Sequence, residues 1–145
     1  MIQSQINAEL RLPNELGYEK VAIGSVAAAA KRAGFSQEKI DDLKTALAEA
    51  CTNAIEHGNL LKSQAKVSVI YVVYPDAIQV SVIDEGYQPI PTSPPDRAGR
   101  TDHRGMGLHL IPKLVDKVEI KSQPGRNEIQ MTNYLTTPQP TLVTV

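Results

Sequence analysis

The chain has 145 residues, 41% of them hydrophobic and 21% charged, a length that predicts one domain with a core large enough to fold alone. Fifteen Lys and Arg against sixteen Asp and Glu leave a formal net charge of −1, without the basic excess of nucleic-acid or acidic-membrane binders, so neither is expected as a partner. The single Cys51 permits no internal disulfide and no apolar run is long enough for a bilayer; with no signal-like start, the chain reads as soluble and cytoplasmic.

Ile6 to Leu12 alternate apolar and polar residues, the period of a half-buried strand, and Pro13-Asn14 ends it. A first helix is predicted from Glu15 to Arg32, stopped by Gly34, and a second from a Ser36 cap through Ile40, Leu43, Leu47, Ala50, Cys51 and Ala54 to Gly58. Two β-branched runs, Lys66 to Tyr74 and Ala77 to Asp84, flank Pro75-Asp76 and predict an antiparallel hairpin. From Glu85 to Arg104 four prolines and two glycines predict a long loop. Gly105-Met106-Gly107 leads into a third helix that Pro112 bends or shortens. Strands at Val118 to Ser122 and Glu128 to Leu135 flank a turn over Pro124-Gly125-Arg126-Asn127, and the last ten residues read as a loose tail. The order β-α-α-β-β-loop-α-β-β predicts an α+β fold with helices on one face of a mainly antiparallel, mixed sheet.

Glu49, Asn53 and His57 recur every fourth residue on the second helix and form one polar row. Alone, the row reads as an ordinary wet helix face, but a carboxylate can accept a proton and an amide oxygen can hold a hard cation such as Mg²⁺. Asp84, at the end of a hydrophobic strand with Gly86 close behind, is either a turn signal or an acceptor for an exocyclic amine such as that of adenine. Gly105-Met106-Gly107 at a helix entry can aim backbone N–H groups at a phosphate. Arg97, Arg100, His103, Arg104 and Lys113 lie near it in sequence, as solvated loop charges or as counter-charges for a triphosphate. Cys51 falls on the apolar stripe and reads as a buried thiol, not a nucleophile.

In order, these pieces are Glu49-Ala-Cys-Thr-Asn53-Ala-Ile-Glu-His57-Gly58, then Asp84-Glu-Gly86, then Gly105-Met-Gly107-Leu-His-Leu-Ile. The constellation resembles the GHKL, or Bergerat-fold, ATPase superfamily, and within it the bacterial anti-sigma factor serine/threonine kinases. The likeness runs from about Leu10 to Leu135 and includes Met131-Thr132-Asn133-Tyr134-Leu135 in the last strand. It implies a two-layer α/β sandwich over residues 1–135 with a lid at about 87–104, followed by the tail 136–145. Carried over by position, it implies Glu49 as general base, Asn53 as Mg²⁺ ligand, Asp84 as the adenine-reading carboxylate and Gly86 as the pocket glycine. It further implies that Gly105 and Gly107 cradle the phosphates, with Met106 and Leu108 also among the ATP-binding residues, that Arg100 or Arg104 stabilises the transferring group, and that Thr132 supports the adenine site through its hydroxyl. Implied partners are an anti-anti-sigma protein of the STAS fold, a sigma factor and a second copy of the chain in a homodimer. Three departures stand out. Gln88 replaces the usual second glycine after Asp84, the lid is rich in proline, and Arg126-Asn127-Glu128 stands near where many relatives carry a Gly-Thr pair. The competing readings are a nucleotide-dependent binding switch without efficient transfer, against which the retained Glu49 argues, and an α/β interaction domain that binds no nucleotide.

Overall fold

The computed structural model describes residues 6–91 and 108–136. In chain order the elements are β1 (Ile6–Pro13), α1 (Glu19–Arg32), α2 (Gln37–Asn53), a widened turn (Ala54–Gly58), β2 (Lys66–Val73) and β3 (Ala77–Asp84), followed by a short helical turn (Leu108–Leu110), α3 (Ile111–Leu114), β4 (Lys117–Gln123) and β5 (Arg126–Tyr134). Five strands form one sheet in the order β1-β2-β3-β5-β4. All four pairings are antiparallel, so among the described residues the sheet is not mixed. The reason is topological: β4 runs along the outer edge and its hairpin returns β5 into the space beside β3.

Strand alternation decides which face meets the helices. Val67, Val69, Tyr71 and Val73 on β2, Ile78, Val80 and Val82 on β3, and Ile129 and Met131 on β5 are buried in one cluster with the inner stripes of α1 and α2. That stripe on α2 is Ile40, Leu43, Ala46, Leu47, Ala50 and Cys51, the spacing expected of an amphipathic helix. Ser36 begins α2 by accepting a hydrogen bond from the Lys39 N–H at 3.2 Å, an N-cap that satisfies one of the helix's open donors. Burial pushes the Cys51 thiol up to about 12, with a smaller contribution from the negative charge of Glu19. Among the described residues no helix is long and apolar enough to cross a membrane.

Three local differences from the sequence expectation have physical causes. Helix α1 starts at Glu19 rather than Glu15, because the chain turns at Gly17, whose φ of +111° lies outside the right-handed helical region. Helix α2 loses regular geometry after Asn53: the Asn59 N–H reaches back to Ala54 O at 2.7 Å, five residues away, which opens the last turn. The β4–β5 connection is the two residues Pro124-Gly125, so Arg126 and Asn127, expected in a turn, belong to β5, with Gln123 opposite Arg126 and Ser122 opposite Asn127.

A thiol this deeply buried stays protonated and shielded. The native chain is therefore expected to resist alkylation by iodoacetamide at pH 8.5 over hours and to react within minutes once unfolded in guanidinium, which mass spectrometry of the intact protein would follow.

Candidate functional site

The polar row of α2 ends beside the end of β3. Asn53, in the last turn of α2, is only 5% exposed, and neither its Oδ1 nor its Nδ2 has a hydrogen-bond partner among the described residues. An amide buried in this way costs about 1–3 kcal/mol unless a ligand satisfies it. Glu49, one helical turn earlier on the same face, is half-buried. His57 is half-buried too, with Nε2 3.8 Å from the Glu56 carboxylate.

Asp84 is 2% exposed, the final residue of β3, on the helix-facing side of the sheet after Val82 and Val80. Its Oδ1 accepts from the Gly86 N–H at 2.8 Å and from Asn127 Nδ2 at 3.1 Å. Two glycines let the backbone close around this carboxylate. A Cβ on Gly58 would run into the Asp84 carboxyl group, and a Cβ on Gly86 would run into Gly58 O and lie 2.9 Å from Asp84 Oδ1. The widened turn at Ala54–Gly58 thus presses its last residue directly onto the strand-end acid. A carboxylate offers about four acceptor positions and no donor. The chemistry it presents is that of an acceptor for N–H groups.

Asn127 faces Asp84 across the β3–β5 pair and is fully buried. Its Nδ2 lies within bonding distance of Asp84 Oδ1, Gly86 O at 3.2 Å and Gln88 O at 3.0 Å, while its Oδ1 has no partner among the described residues. It therefore ties the start of the proline-rich segment to the acid. The Gly125 N–H reinforces this by donating to Gly86 O at 3.0 Å.

The structure packs Asp84 and Gly86 against the turn that follows Asn53, with Glu49 one turn before Asn53 on α2, but Thr132 does not join them. Thr132 pairs with Gln79, whereas Asp84 pairs with Asn127, and strand alternation puts Thr132 on the sheet face away from the helices. Its hydroxyl lies 3.5 Å from Gln79 Nε2. Asn127 holds the place beside the acid that the resemblance had given to Thr132. Leu108 is buried among core side chains. Lys113 lines a 440 Å³ cavity with Ser36, Lys39, Asp42 and Asp116 at the start of α2, about 25 Å along the helix from Asn53. Arg97, Arg100, His103, Arg104, Gly105, Met106 and Gly107 lie outside the described residues. Sequence reasoning missed Asn127, placed in a turn, and Gly58, taken only as a helix stop. The available signal for Asn127 was its position where relatives carry the Gly-Thr pair.

The residues fit a divalent cation of the Mg²⁺ kind at Asn53 on the ground of its orphaned amide, whose oxygen is a hard ligand. No group of three or more His, Cys, Asp or Glu able to hold a metal gathers among the described residues, so such an ion would share its coordination with phosphate oxygens and water.

The family described as "Histidine kinase-like ATPase domain" matches residues 12–133. The serine-protein kinase RsbW of Bacillus velezensis is 32% identical over 136 residues, covering 88% of this chain and 84% of that protein. The serine-protein kinase RsbW of Bacillus subtilis is 31% identical with the same coverage. Among solved structures, the RsbU and RsbW domains of Rv1364c from Mycobacterium tuberculosis superpose with a TM-score of 0.66 at 19% identity, over 88% of this chain and 31% of that longer chain. The histidine kinase domain of the Erythrobacter litoralis EL346 blue-light activated histidine kinase superposes with a TM-score of 0.54 at 17% identity, over 86% of this chain and 62% of that one.

Gly58→Ala and Gly86→Ala are each expected to lower stability in urea titrations by about 1–3 kcal/mol, the usual range for forced overpacking. Because the obstacle at Gly58 is the Asp84 side chain, Asp84→Gly should remove most of the Gly58→Ala penalty, and a double-mutant cycle reads that coupling directly.

Proposed function

The chain belongs to the histidine kinase-like ATPase family and, within it, groups with the serine-protein kinases RsbW, and we propose that it transfers the γ-phosphoryl group of Mg-ATP to a serine hydroxyl of an anti-anti-sigma partner of the STAS fold. It is a serine/threonine kinase of the anti-sigma type. The single observation that carries the site assignment is the pairing of a buried acceptor, Asp84, closed in by two glycines, with a buried amide on the adjoining helix, Asn53, that has no partner among the described residues.

In this reading Asp84 accepts a hydrogen bond from the exocyclic amine of adenine. Guanine, which places a carbonyl oxygen there, would meet acceptor against acceptor. Gly86 and Gly58 let the backbone close on the Asp84 carboxyl group and hold it in place for the base. Asn53 would hold Mg²⁺ through its amide oxygen, and the ion would neutralise charge on the phosphate oxygens. Glu49 accepts the serine proton as the hydroxyl oxygen bonds to the γ-phosphorus and the bond from that phosphorus to the β–γ bridging oxygen breaks, releasing ADP. Backbone N–H groups of Gly105, Met106 and Gly107 cradle the phosphates, and Arg100 or Arg104 stabilises the transferring group. The chain works in the cytoplasm as a homodimer, exchanging between the STAS protein and a sigma factor. Phosphorylation of the former adds charge at the contact and leaves the kinase to hold the latter.

The test is incubation with Mg-ATP and the cognate STAS protein, following phosphate on that partner. Glu49→Gln is expected to lower transfer at least about 100-fold, the low end of a general base's contribution, while ATP binding persists. Asp84→Asn is expected to weaken ATP binding and narrow its margin over GTP in the same calorimetric titrations. A wild type that binds ATP yet labels no cognate partner would make the protein a nucleotide-dependent switch, and one that binds no nucleotide would remove the assignment altogether.

A further inference from the structure

Asn59 follows Gly58 where the widened turn gives way to the loop before β2, and it is 3% exposed. Its amide bonds to three separate segments. Nδ2 donates to Asn14 Oδ1 at 3.1 Å and to Lys66 O at 3.0 Å, and Oδ1 accepts from the Glu85 N–H at 2.7 Å. Asn14, itself buried, passes the link on by donating from Nδ2 to Lys62 O at 3.0 Å. The Glu85 carboxylate closes the circuit by accepting from the Lys66 N–H at 3.0 Å. One buried amide therefore joins the end of β1, the loop after α2, the start of β2 and the end of β3.

Its place in the chain gives this knot a consequence. Asn59 is the immediate neighbour of Gly58, which is packed against the Asp84 carboxyl group, and its Oδ1 holds the N–H of Glu85, the immediate neighbour of Asp84. The bond between Asn59 and Glu85 spans the two walls that enclose the acid and fixes their separation. The loop it restrains is under tension, because Leu60 and Leu61 both hold left-handed backbone, at φ of +52° and +57°, a conformation that bulky residues adopt only when their surroundings enforce it.

We infer that Asn59, anchored by Asn14, is a positioning residue for the base end of the nucleotide site. It sets the spacing between Gly58 and Asp84, and through it the affinity for the adenine nucleotide, without touching the ligand. The inference rests on the proposed function and adds to it a determinant outside the contact surface. Glu49 lies in the regular part of α2, so the knot acts on binding and not on the transfer step.

The experiment measures, on the full chain, the ATP dissociation constant, the KM for ATP, kcat and the melting temperature for wild type, Asn59→Ala, Asn14→Ala and their double variant. Ile78→Ala serves as a control that opens a cavity in the core toward the opposite end of β3. Asn59→Ala is expected to raise the dissociation constant and KM for ATP about five- to tenfold, the range set by losing one or two buried hydrogen bonds, with kcat at saturating ATP within about twofold of wild type. Asn14→Ala should shift the same constants by less, and the double variant should bind no worse than Asn59→Ala alone, because both act through one knot. Ile78→Ala should lower the melting temperature and leave ATP affinity unchanged. Unchanged affinity in Asn59→Ala, an equal loss of affinity in Ile78→Ala, or a fall in kcat with KM intact would each overturn the inference. Where Asn59→Ala fails to fold, Asn14→Ala decides by the same criteria. A wild type that does not bind ATP removes the proposed function together with this inference, whereas a binding wild type with unaltered variants removes this inference alone.

Discussion

The site depends on a carboxylate taken out of water and wrapped by backbone. Asp84 is nearly inaccessible, and it stays so because two neighbouring segments have no side chain where they meet it. A buried acid is tolerated only when donors reach it, and here the Gly86 N–H and Asn127 Nδ2 do so at one oxygen. That arrangement explains the irregular end of α2. A regular helix carries each residue about 1.5 Å forward; the opening after Asn53 instead lets the chain swing Gly58 onto the strand end before it leaves for β2.

The rest of the architecture follows from keeping that contact in register. Because β3 pairs with β2 on one side and β5 on the other, the acid sits in an interior strand whose neighbours fix its height to within one residue. The β4–β5 hairpin then does two jobs: its inner strand supplies Asn127 opposite the acid, and its tip supplies the Gly125 N–H to Gly86 O. On the helix side, the Ser36 cap and the Ile40-to-Cys51 stripe set the rotation of α2. Core packing thereby settles that Asn53 is buried rather than turned to water.

Much of this was legible in the residues. Hydrophobic alternation and β-branched runs located the five strands, with β3 over Ala77–Asp84 as read, and the apolar stripe located α2. The row of Glu49 and Asn53 and the pair of Asp84 and Gly86 were visible as chemistry. What was illegible depended on register and on close approach. Whether Arg126 and Asn127 turn or pair depends on a two-residue hairpin that composition does not single out from a four-residue one, and that choice decides which side chain faces Asp84. Thr132 looked suitable because of its hydroxyl, yet its parity along β5 turns it to the other face of the sheet. Gly58 looked like a terminator because nothing local announces that a carboxylate from β3 will rest against it. The knot at Asn59 joins residues 45 and 26 positions apart, beyond the reach of any periodicity.

The buried amides of Asn59 and Asn53 differ in how completely they are satisfied, and the difference separates shape from chemistry. Asn59 has partners at both ends of its amide, in three segments of chain, and Asn14 bonds through both of its own. Such closed sets rigidify a fold, since each bond removed leaves a buried partner stranded. Asn53, a few residues earlier on the same stretch of chain, has none at either end among the described residues. Packing that excludes water from an amide without answering it costs about 1–3 kcal/mol, a sizeable part of a typical domain's 5–15 kcal/mol. The satisfied set lies against the backbone that shapes the acid's enclosure, and the unsatisfied amide lies where α2 loses its regular turn. A ligand that supplies a hard cation there would relieve the cost at the moment of binding, which is how a site can be stiff in outline and still favour its occupant.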